Sequence, residues 1–250
     1  FLEDNLDIGV CGTWAYCCDE HANVTKLIRM PTNHNDLIAR LMFTSCFIHP
    51  SVMFRSCLVH ELKYFYSGNF TNSQDYDYWE RLSKVTRFAN INKPLILYRQ
   101  VTDGITGCVD RDPYTKRFPL VKIVQGRQLQ AIGIAPDEEV LLNHFRFGRN
   151  INLSELDWNL ERVRCHINAI LAGVMRGGSS SFGSSYRLLA GRLFATVLVF
   201  ASRRRNIPLS ILLEPMIYKG AYLYLLKFLN FIVDAFRVKL FQLSLLLRGF

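Results

Sequence analysis

No stretch of this 250-residue chain runs uncharged for the ~20 residues that an α-helix needs to cross a bilayer. The two most apolar segments near its end both fail. Residues 193–201 are too few and meet Arg203-Arg204-Arg205, and residues 221–236 carry Lys227 and Asp234. No Cys-x-x-Cys pair occurs among the seven cysteines, at positions 11, 17, 18, 46, 57, 108 and 165, which argues against a structural zinc site. Their odd number and apolar settings suit buried, reduced thiols, and so a reducing, cytosolic compartment. No secretory signal opens the sequence. Residue 1 is Phe rather than Met, so residues upstream are expected. There is no internal repeat.

What is present is a chain that can build a core. Half of its residues are hydrophobic and 20% are charged, a composition of one large or two small folded domains rather than of a disordered chain. The net charge of +9 is unevenly distributed. Residues 1–108 hold 10 Lys and Arg against 11 Asp and Glu, whereas residues 109–250 hold 20 against 10. The whole excess therefore lies in an apolar rear part. Few exposed-looking aromatics are interleaved with it, which argues against nucleic acid. A basic, apolar rear suits an anionic membrane surface. Residues 221–236, flanked by Lys219, Arg237 and Lys239, read as an interfacial amphipathic helix, with packing on the protein's own domain as the bland reading.

The front reads as mixed α/β. Residues 8–18 form an apolar strand with Gly9 and Gly12, His21-Ala22-Asn23 a hairpin tip, and residues 24–30 the return strand. Asn35 or Asp36 opens a helix through Leu37, Ile38, Leu41 and Met42. Residues 47–54 read as a buried strand broken by Pro50, 75–84 as a short helix with Asp75 or Ser73 near its cap, and 90–99 as a strand. Helices follow. One covers 114–132 and is closed by Gly133. A second starts at Pro136 with acids in its first turn. A third covers 153–175 with Ser154 as cap. The Gly- and Ser-rich residues 177–185 read as a flexible linker.

Two acids, three aromatics and an arginine crowd into Ser73-Gln74-Asp75-Tyr76-Asp77-Tyr78-Trp79-Glu80-Arg81-Leu82. An acid at a helix start is commonly a cap. Here the same acid stands one turn before Trp79 on the same face, so a carboxylate beside an aromatic wall is the competing reading. By composition alone Asp77 is a solvated helix residue, Trp79 a core residue, and His49 beside Pro50 structural. Arg99 suits either a diphosphate or a loop carbonyl.

The ordered set Phe1-Leu2-Glu3-Asp4-Asn5, Gly9-Val10-Cys11-Gly12-Thr13, His49-Pro50-Ser51-Val52-Met53-Phe54-Arg55, Gln74 to Leu82, and Pro94-Leu95-Ile96-Leu97-Tyr98-Arg99 resembles the C-terminal half of a family 2 glycosyltransferase of the GT-A fold. The resemblance covers residues 1–107, and the helices to about residue 147 look like those that often follow that domain. It implies an α/β, partial GT-A fold followed by an α-helical C-terminal region. The corresponding division is 1–108 for the GT-A half, 109–176 for a helical extension, 177–186 for a linker and 187–250 for a basic amphipathic tail.

The implied activity is transfer of a sugar from a nucleotide-diphosphate donor to an acceptor hydroxyl with inversion, in cell-surface polysaccharide or glycolipid synthesis. Asp75 takes the place of the general base, with Asp77, Trp79 and Arg99 as substrate-binding residues. The family's Asp-x-Asp donor and metal motif lies upstream of residue 1, and neither Asp75-Tyr76-Asp77 nor Asp110-Arg111-Asp112 replaces it. Many relatives carry a metal-binding His two residues after the Arg; Val101 stands there. Mg²⁺ or Mn²⁺ thus belongs to the longer protein, and these residues alone supply no metal site and are expected to be inactive. The expected partners are a nucleotide-sugar donor, a saccharide or lipid-linked acceptor and an anionic membrane surface. The location is cytoplasmic, peripheral on the inner face of the membrane. The alternative is a non-catalytic, membrane-associated or partner-binding module.

Overall fold

The computed structural model describes residues 1–60, 63, 65–101, 104, 107, 111–149, 158–178, 181–202, 207 and 214–247; for 149, 199–202, 224, 227, 228, 231, 232, 236 and 244–247 it gives the backbone only. The chain divides into two compact units. One comprises residues 1–37, 45–117 and 228–250, the other 38–44 and 118–227.

The first unit is built on β1 (Ile8–Cys18), which is buried at nearly every position. A strand covered on both faces reads as an unbroken apolar run rather than an alternating one. β4 (Arg87–Arg99) lies parallel to β1 along its whole length, from Ile8 opposite Arg87 to Cys18 opposite Arg99. β2 (Val24–Ile28) and β3 (Met53–Phe54) pair antiparallel with β1, at Ala15–Cys18 and at Val10–Cys11. Because β4 fills one edge of β1, β2 and β3 share the other, and the sheet is mixed. The β1–β4 register slips around Trp14 opposite Pro94, a residue with no N–H to donate. The hairpin tip forms at 21–23 as expected. Ala22 takes the left-handed conformation at φ 65°, while the Asp19 carboxylate accepts the backbone N–H groups of His21 and Asn23, each at 2.9 Å.

Three expectations for this unit need correction. α1 (His34–Leu41) is capped by Asn33, whose side-chain oxygen accepts the Asp36 N–H at 3.0 Å, rather than by Asn35 or Asp36. Residues 47–54 are not one strand, because Pro50 winds His49–Ser51 into a 3₁₀ turn and leaves two residues to pair as β3. Ser51 pins that turn to the sheet, its Oγ accepting the Thr13 N–H at 3.0 Å and donating to the Ile48 carbonyl at 2.7 Å. β4 begins at residue 87 rather than 90, since the Phe88 N–H finds His34 Nδ1 at 3.1 Å and the Asn90 N–H finds the Thr32 carbonyl at 3.1 Å. The unit also contains α2 (Cys57–His60), α3 (Gln74–Leu82) and α4 (Pro113–Lys116).

The second unit is helical: α5 (Phe118–Ala131), α6 (Glu138–Arg149), α7 (Leu160–Arg176), α8 (Phe182–Ser202) and the first part of α9 (Pro215–Leu247). The single helix expected over 114–132 is broken at Arg117. Pro119 cannot continue a helix from α4 but is tolerated in the first turn of α5. Gly133 closes α5 as expected, with φ 79° and its N–H on the Gln130 carbonyl at 2.9 Å. The acids of the next first turn are also where they were expected, and Asp137 caps Val140 N–H at 2.8 Å. α7 is capped by Asn159, which accepts the Arg162 N–H at 2.9 Å; the expected cap Ser154 lies outside the described residues. The expected linker 177–186 is only partly a break. Gly177 ends α7, but residues 182–186 already belong to α8 and Ser181, Ser184 and Ser185 are buried. Their small side chains permit packing where composition suggested flexibility.

Leu129, Trp158, Ile167, Ile170, Leu189 and Leu193 lie in this unit's core. Gly220 of α9 lies so close to α8 that a Cβ there would stand 2.2 Å from the Ala190 carbonyl oxygen. Beside this core His144 Nε2–H donates to the Met42 carbonyl at 3.0 Å, and His144 Nδ1 accepts from His166 Nε2–H at 2.9 Å. Burial pushes both imidazoles well below the ordinary histidine value, His166 to about 4.

Two outcomes follow for stability. Both histidines are neutral in the folded chain and protonate more readily when it unfolds. The stability of the helical unit is therefore full above about pH 6.5 and is lost progressively toward pH 4, by a few kcal/mol. Urea unfolding followed across this range should show that decline, and a His144→Gln, His166→Gln double variant should flatten it. Gly220→Ala should lower the unfolding free energy by about 1–3 kcal/mol, since the helices must separate to admit the methyl group; an unchanged denaturation midpoint would contradict the close packing.

Candidate functional site

α3 places the acid- and aromatic-rich segment. Ser73 holds the N-cap position in the left-handed region, at φ 56°, and makes no side-chain capping bond. Asp75 therefore stands inside the first turn rather than at the cap. Successive residues turn by ~100°, so one side of so short a helix must face the interior. The covering goes further than one side: Tyr76 to Glu80, a full turn, and Leu82 are all buried, while Asp75 stays half-buried.

Trp79 is fully enclosed. Its ring meets Phe47 edge-on at 5.3 Å and lies 5.2 Å from Tyr78, and its Nε1 makes no hydrogen bond among the described residues. It is a core residue in this structure and presents no wall to solvent. Asp77 is likewise buried, at 1% exposure, rather than a solvated helix residue. Its carboxylate accepts Arg81 Nε at 2.9 Å. Arg81 in turn lies over the Tyr78 ring at 5.6 Å and donates to the Phe65 carbonyl at 2.6 Å. Asp77 thus holds the arginine that anchors residues 65–66 to α3, a buried charge matched by its partner.

That anchoring brings up a residue the sequence reading did not select. Tyr66 stacks on Tyr78, ring centroids 4.3 Å apart, and is 43% exposed. Burial of its phenol, then the neighbouring Tyr78 and the Asp75 carboxylate, push its pKa up to about 12, so it remains a protonated donor at neutral pH. His49 stands edge-on to Tyr66 at 6.1 Å and 6.0 Å from Trp79. It is carried there by the 3₁₀ turn that Ser51 pins to β1. Gly12 makes room for this arrangement, since a Cβ there would stand 2.8 Å from the Phe47 ring and 2.3 Å from Asn90 Oδ1. The cluster is therefore Asp75, Tyr66, Tyr78 and His49: an accessible carboxylate, a neutral phenol beside it, and an aromatic bank. The only sequence signal for Tyr66 was the run Tyr64-Phe65-Tyr66, which has no helical or strand period.

Arg99 is not part of this cluster. It ends β4 opposite Cys18, five residues along β1 from the Thr13 that anchors the His49 turn, or roughly 17 Å. It is exposed. Among the described residues no group of three or more His, Cys, Asp or Glu side chains could hold a metal ion. The described residues do not offer a ligand set for a divalent cation.

This arrangement can take a proton from a hydroxyl at Asp75, donate a hydrogen bond from Tyr66 and offer an aromatic face to an apolar surface. No family model and no solved structure matches the chain. Two curated proteins do. Over 125 residues, 49% of this chain, it is 30% identical to the uncharacterized glycosyltransferase MJ1057 of Methanocaldococcus jannaschii, of which it covers 40%. Over 96 residues, 37% of the chain, it is 33% identical to the O-antigen biosynthesis glycosyltransferase WbnJ of Escherichia coli, of which it covers 37%. The chain spans less than half the length of each of these relatives, and over that part it is related to glycosyltransferases.

Proposed function

We propose that the chain is the acceptor-side part of an inverting glycosyltransferase of the GT-A type, with Asp75 as the general base. The observation that carries this reading is the Asp75 carboxylate, half-open to solvent beside the exposed, protonated Tyr66. A sugar hydroxyl is a weak nucleophile, and a carboxylate that removes its proton as it attacks contributes about 10²–10⁴ in rate. The acceptor oxygen bonds to the anomeric carbon of the donor sugar and its proton passes to Asp75. The bond to the nucleoside diphosphate breaks, and the diphosphate leaves with the electron pair. Tyr66, backed by the buried Tyr78, forms the bank against the C–H face of the acceptor ring, and Tyr66 hydrogen-bonds an acceptor oxygen or Asp75 itself. Asp77 acts through Arg81 as a positioning residue, and Trp79 as the floor beneath the bank. Arg99, at the far end of the sheet, is left to more distant parts of the donor or acceptor.

The acceptor is a saccharide or a lipid-linked saccharide. The O-antigen context of one relative and the basic, apolar rear of this chain both support that class. A non-catalytic, membrane-associated or partner-binding module is the second reading.

In the longest product that contains these residues, Asp75→Asn should lower sugar transfer by about 10²–10⁴ and leave the circular dichroism spectrum unchanged. Undiminished turnover would remove Asp75 from the role, and no transfer by the unaltered protein with any nucleotide sugar would favour the non-catalytic reading. Tyr66→Phe keeps the stack and loses only the hydroxyl. It should reduce kcat/KM by roughly tenfold at most, the worth of one hydrogen bond, as read from initial rates against acceptor concentration.

A further inference from the structure

α9 has two unlike sides. Viewed down its axis at ~100° per residue, the residues it packs in each unit, taken separately, fall within an arc of about 100°. In the helical unit these are Met216, Ile217 and Gly220. In the sheet unit, Asp234 pairs with Arg29, Phe241 stacks on Tyr16 at 4.2 Å, and Gln242 donates to the Val24 carbonyl at 2.6 Å. The opposite side is apolar and bare. Tyr218, Tyr222 and Leu225 in the first half, and Leu229, Val233 and Leu240 in the second, are all exposed and fall within an arc of about 100°. Phe236 and Leu247 occupy sequence positions in the same arc, and no charged residue falls in it between 215 and 247.

Three of the four cations of the helix sit on its borders, and Lys227 occupies a sequence position on the packed side. Lys219 and Arg237 flank one margin, Lys239 the other, and all three are exposed. The single acid of the helix, Asp234, is on the packed side with Arg29. Within the sheet unit the stripe runs for roughly 21 Å, at ~1.5 Å per residue from 229 to 243. No described helix is long and apolar enough to cross a membrane.

We infer that this side of α9 is a docking surface for an anionic lipid bilayer, on which the helix lies flat with its apolar stripe among the acyl chains and its border cations at the head groups. A long apolar stripe edged by cations on both margins is what such a surface recognises. A second copy of the chain fits it worse. Pairing two stripes would bring basic margins against basic margins, with no acid at the rim to match them. The inference stands on α9 alone and is independent of the transferase reading.

The test is sedimentation of the purified 250-residue chain with vesicles, with no nucleotide sugar present. The chain should pellet with mixed phosphatidylcholine–phosphatidylglycerol vesicles and much less with phosphatidylcholine alone, and salt should weaken the binding. Arg237→Gln with Lys239→Gln should lower the partition coefficient by roughly 30-fold, about fivefold for each charge. Leu229→Gln with Leu240→Gln should abolish binding. Both leucines are exposed, so the far-UV circular dichroism of this variant should match the parent; if it does not, the charge variant, whose residues are also exposed, decides. Equal binding to both vesicle types, or no binding to either, overturns the inference. A dimer in light scattering that the Leu229→Gln, Leu240→Gln variant dissociates, without vesicle binding by the parent, assigns the stripe to a second copy instead.

Discussion

The parallel ladder between β1 and β4 is the constraint on which the sheet unit depends. β1 is buried along nearly its full length, so its N–H and C=O groups have little recourse to water and must pair with neighbouring strands. One long partner satisfies an entire edge, and two short antiparallel strands satisfy the other. Everything else in the unit hangs from that pairing. The Thr13 N–H holds the 3₁₀ turn through Ser51, and Arg55 binds the carbonyls of Ile8, Leu2 and Asn5, tying the end of β3 to the start of the chain. α3 hands the chain to the start of β4 within a few residues, which fixes its C-terminal end against the sheet. The ladder slips once near its start, between Ile8 and Val10, and again around Pro94, beyond the strand residues that face the turn.

Within that frame α3 has to meet two demands. Its buried side needs bulk, supplied by Tyr76, Tyr78, Trp79 and Leu82. Its first turn carries two acids only two residues apart, about 200° around the axis, so both cannot face the opening. Asp77 turns inward, and an unmatched carboxylate there would cost several kcal/mol. Arg81, one turn later, removes that cost and uses its remaining donors on the Phe65 carbonyl. The same compensation that makes the buried acid tolerable thereby fixes the segment that carries Tyr66 beside Asp75. The open carboxylate and its aromatic neighbour follow from how the helix disposes of the other acid.

This explains why the sequence disclosed the site only in part. The helix that carries Asp75 was legible, because a dense acid and aromatic cluster with a cap position is a local pattern. So were β1, the hairpin tip, the Gly133 stop and the acidic start of α6, each written in consecutive residues. Tyr66 was not, since its place depends on Arg81 reaching across 16 residues to the Phe65 carbonyl. Trp79 was read toward the ligand because i and i+4 share a face, but that spacing does not tell which of two residues at the border of a buried face goes under. Arg99 was grouped with Asp75 on the order of segments, and only the register of β1 and β4 shows how far along the sheet it lies. The linker misreading has the same root: glycine and serine are flexible in a free chain, but their small size equally suits a tight join between helices, and composition alone cannot separate the two.

The basic excess of the rear half acquires a specific location from one contact made in the front half. The sequence of α9 contains four cations and one acid. On a free helix Asp234 would offset part of that charge, since carboxylates and cations a turn apart attract one another. Arg29, which also lies over the Trp14 ring at 5.0 Å, pairs with Asp234 instead. A cation from the nearly neutral front half therefore occupies the only negative group of the helix and draws it to the packed side. Arg237 and Lys239 are left at the margins of the apolar stripe, where water or an anionic surface is the available counterpart. The charge asymmetry between the halves is thus more than a compositional trend: folding sorts it, so that the acid turns toward the protein while Lys219, Arg237 and Lys239 border the bare apolar side.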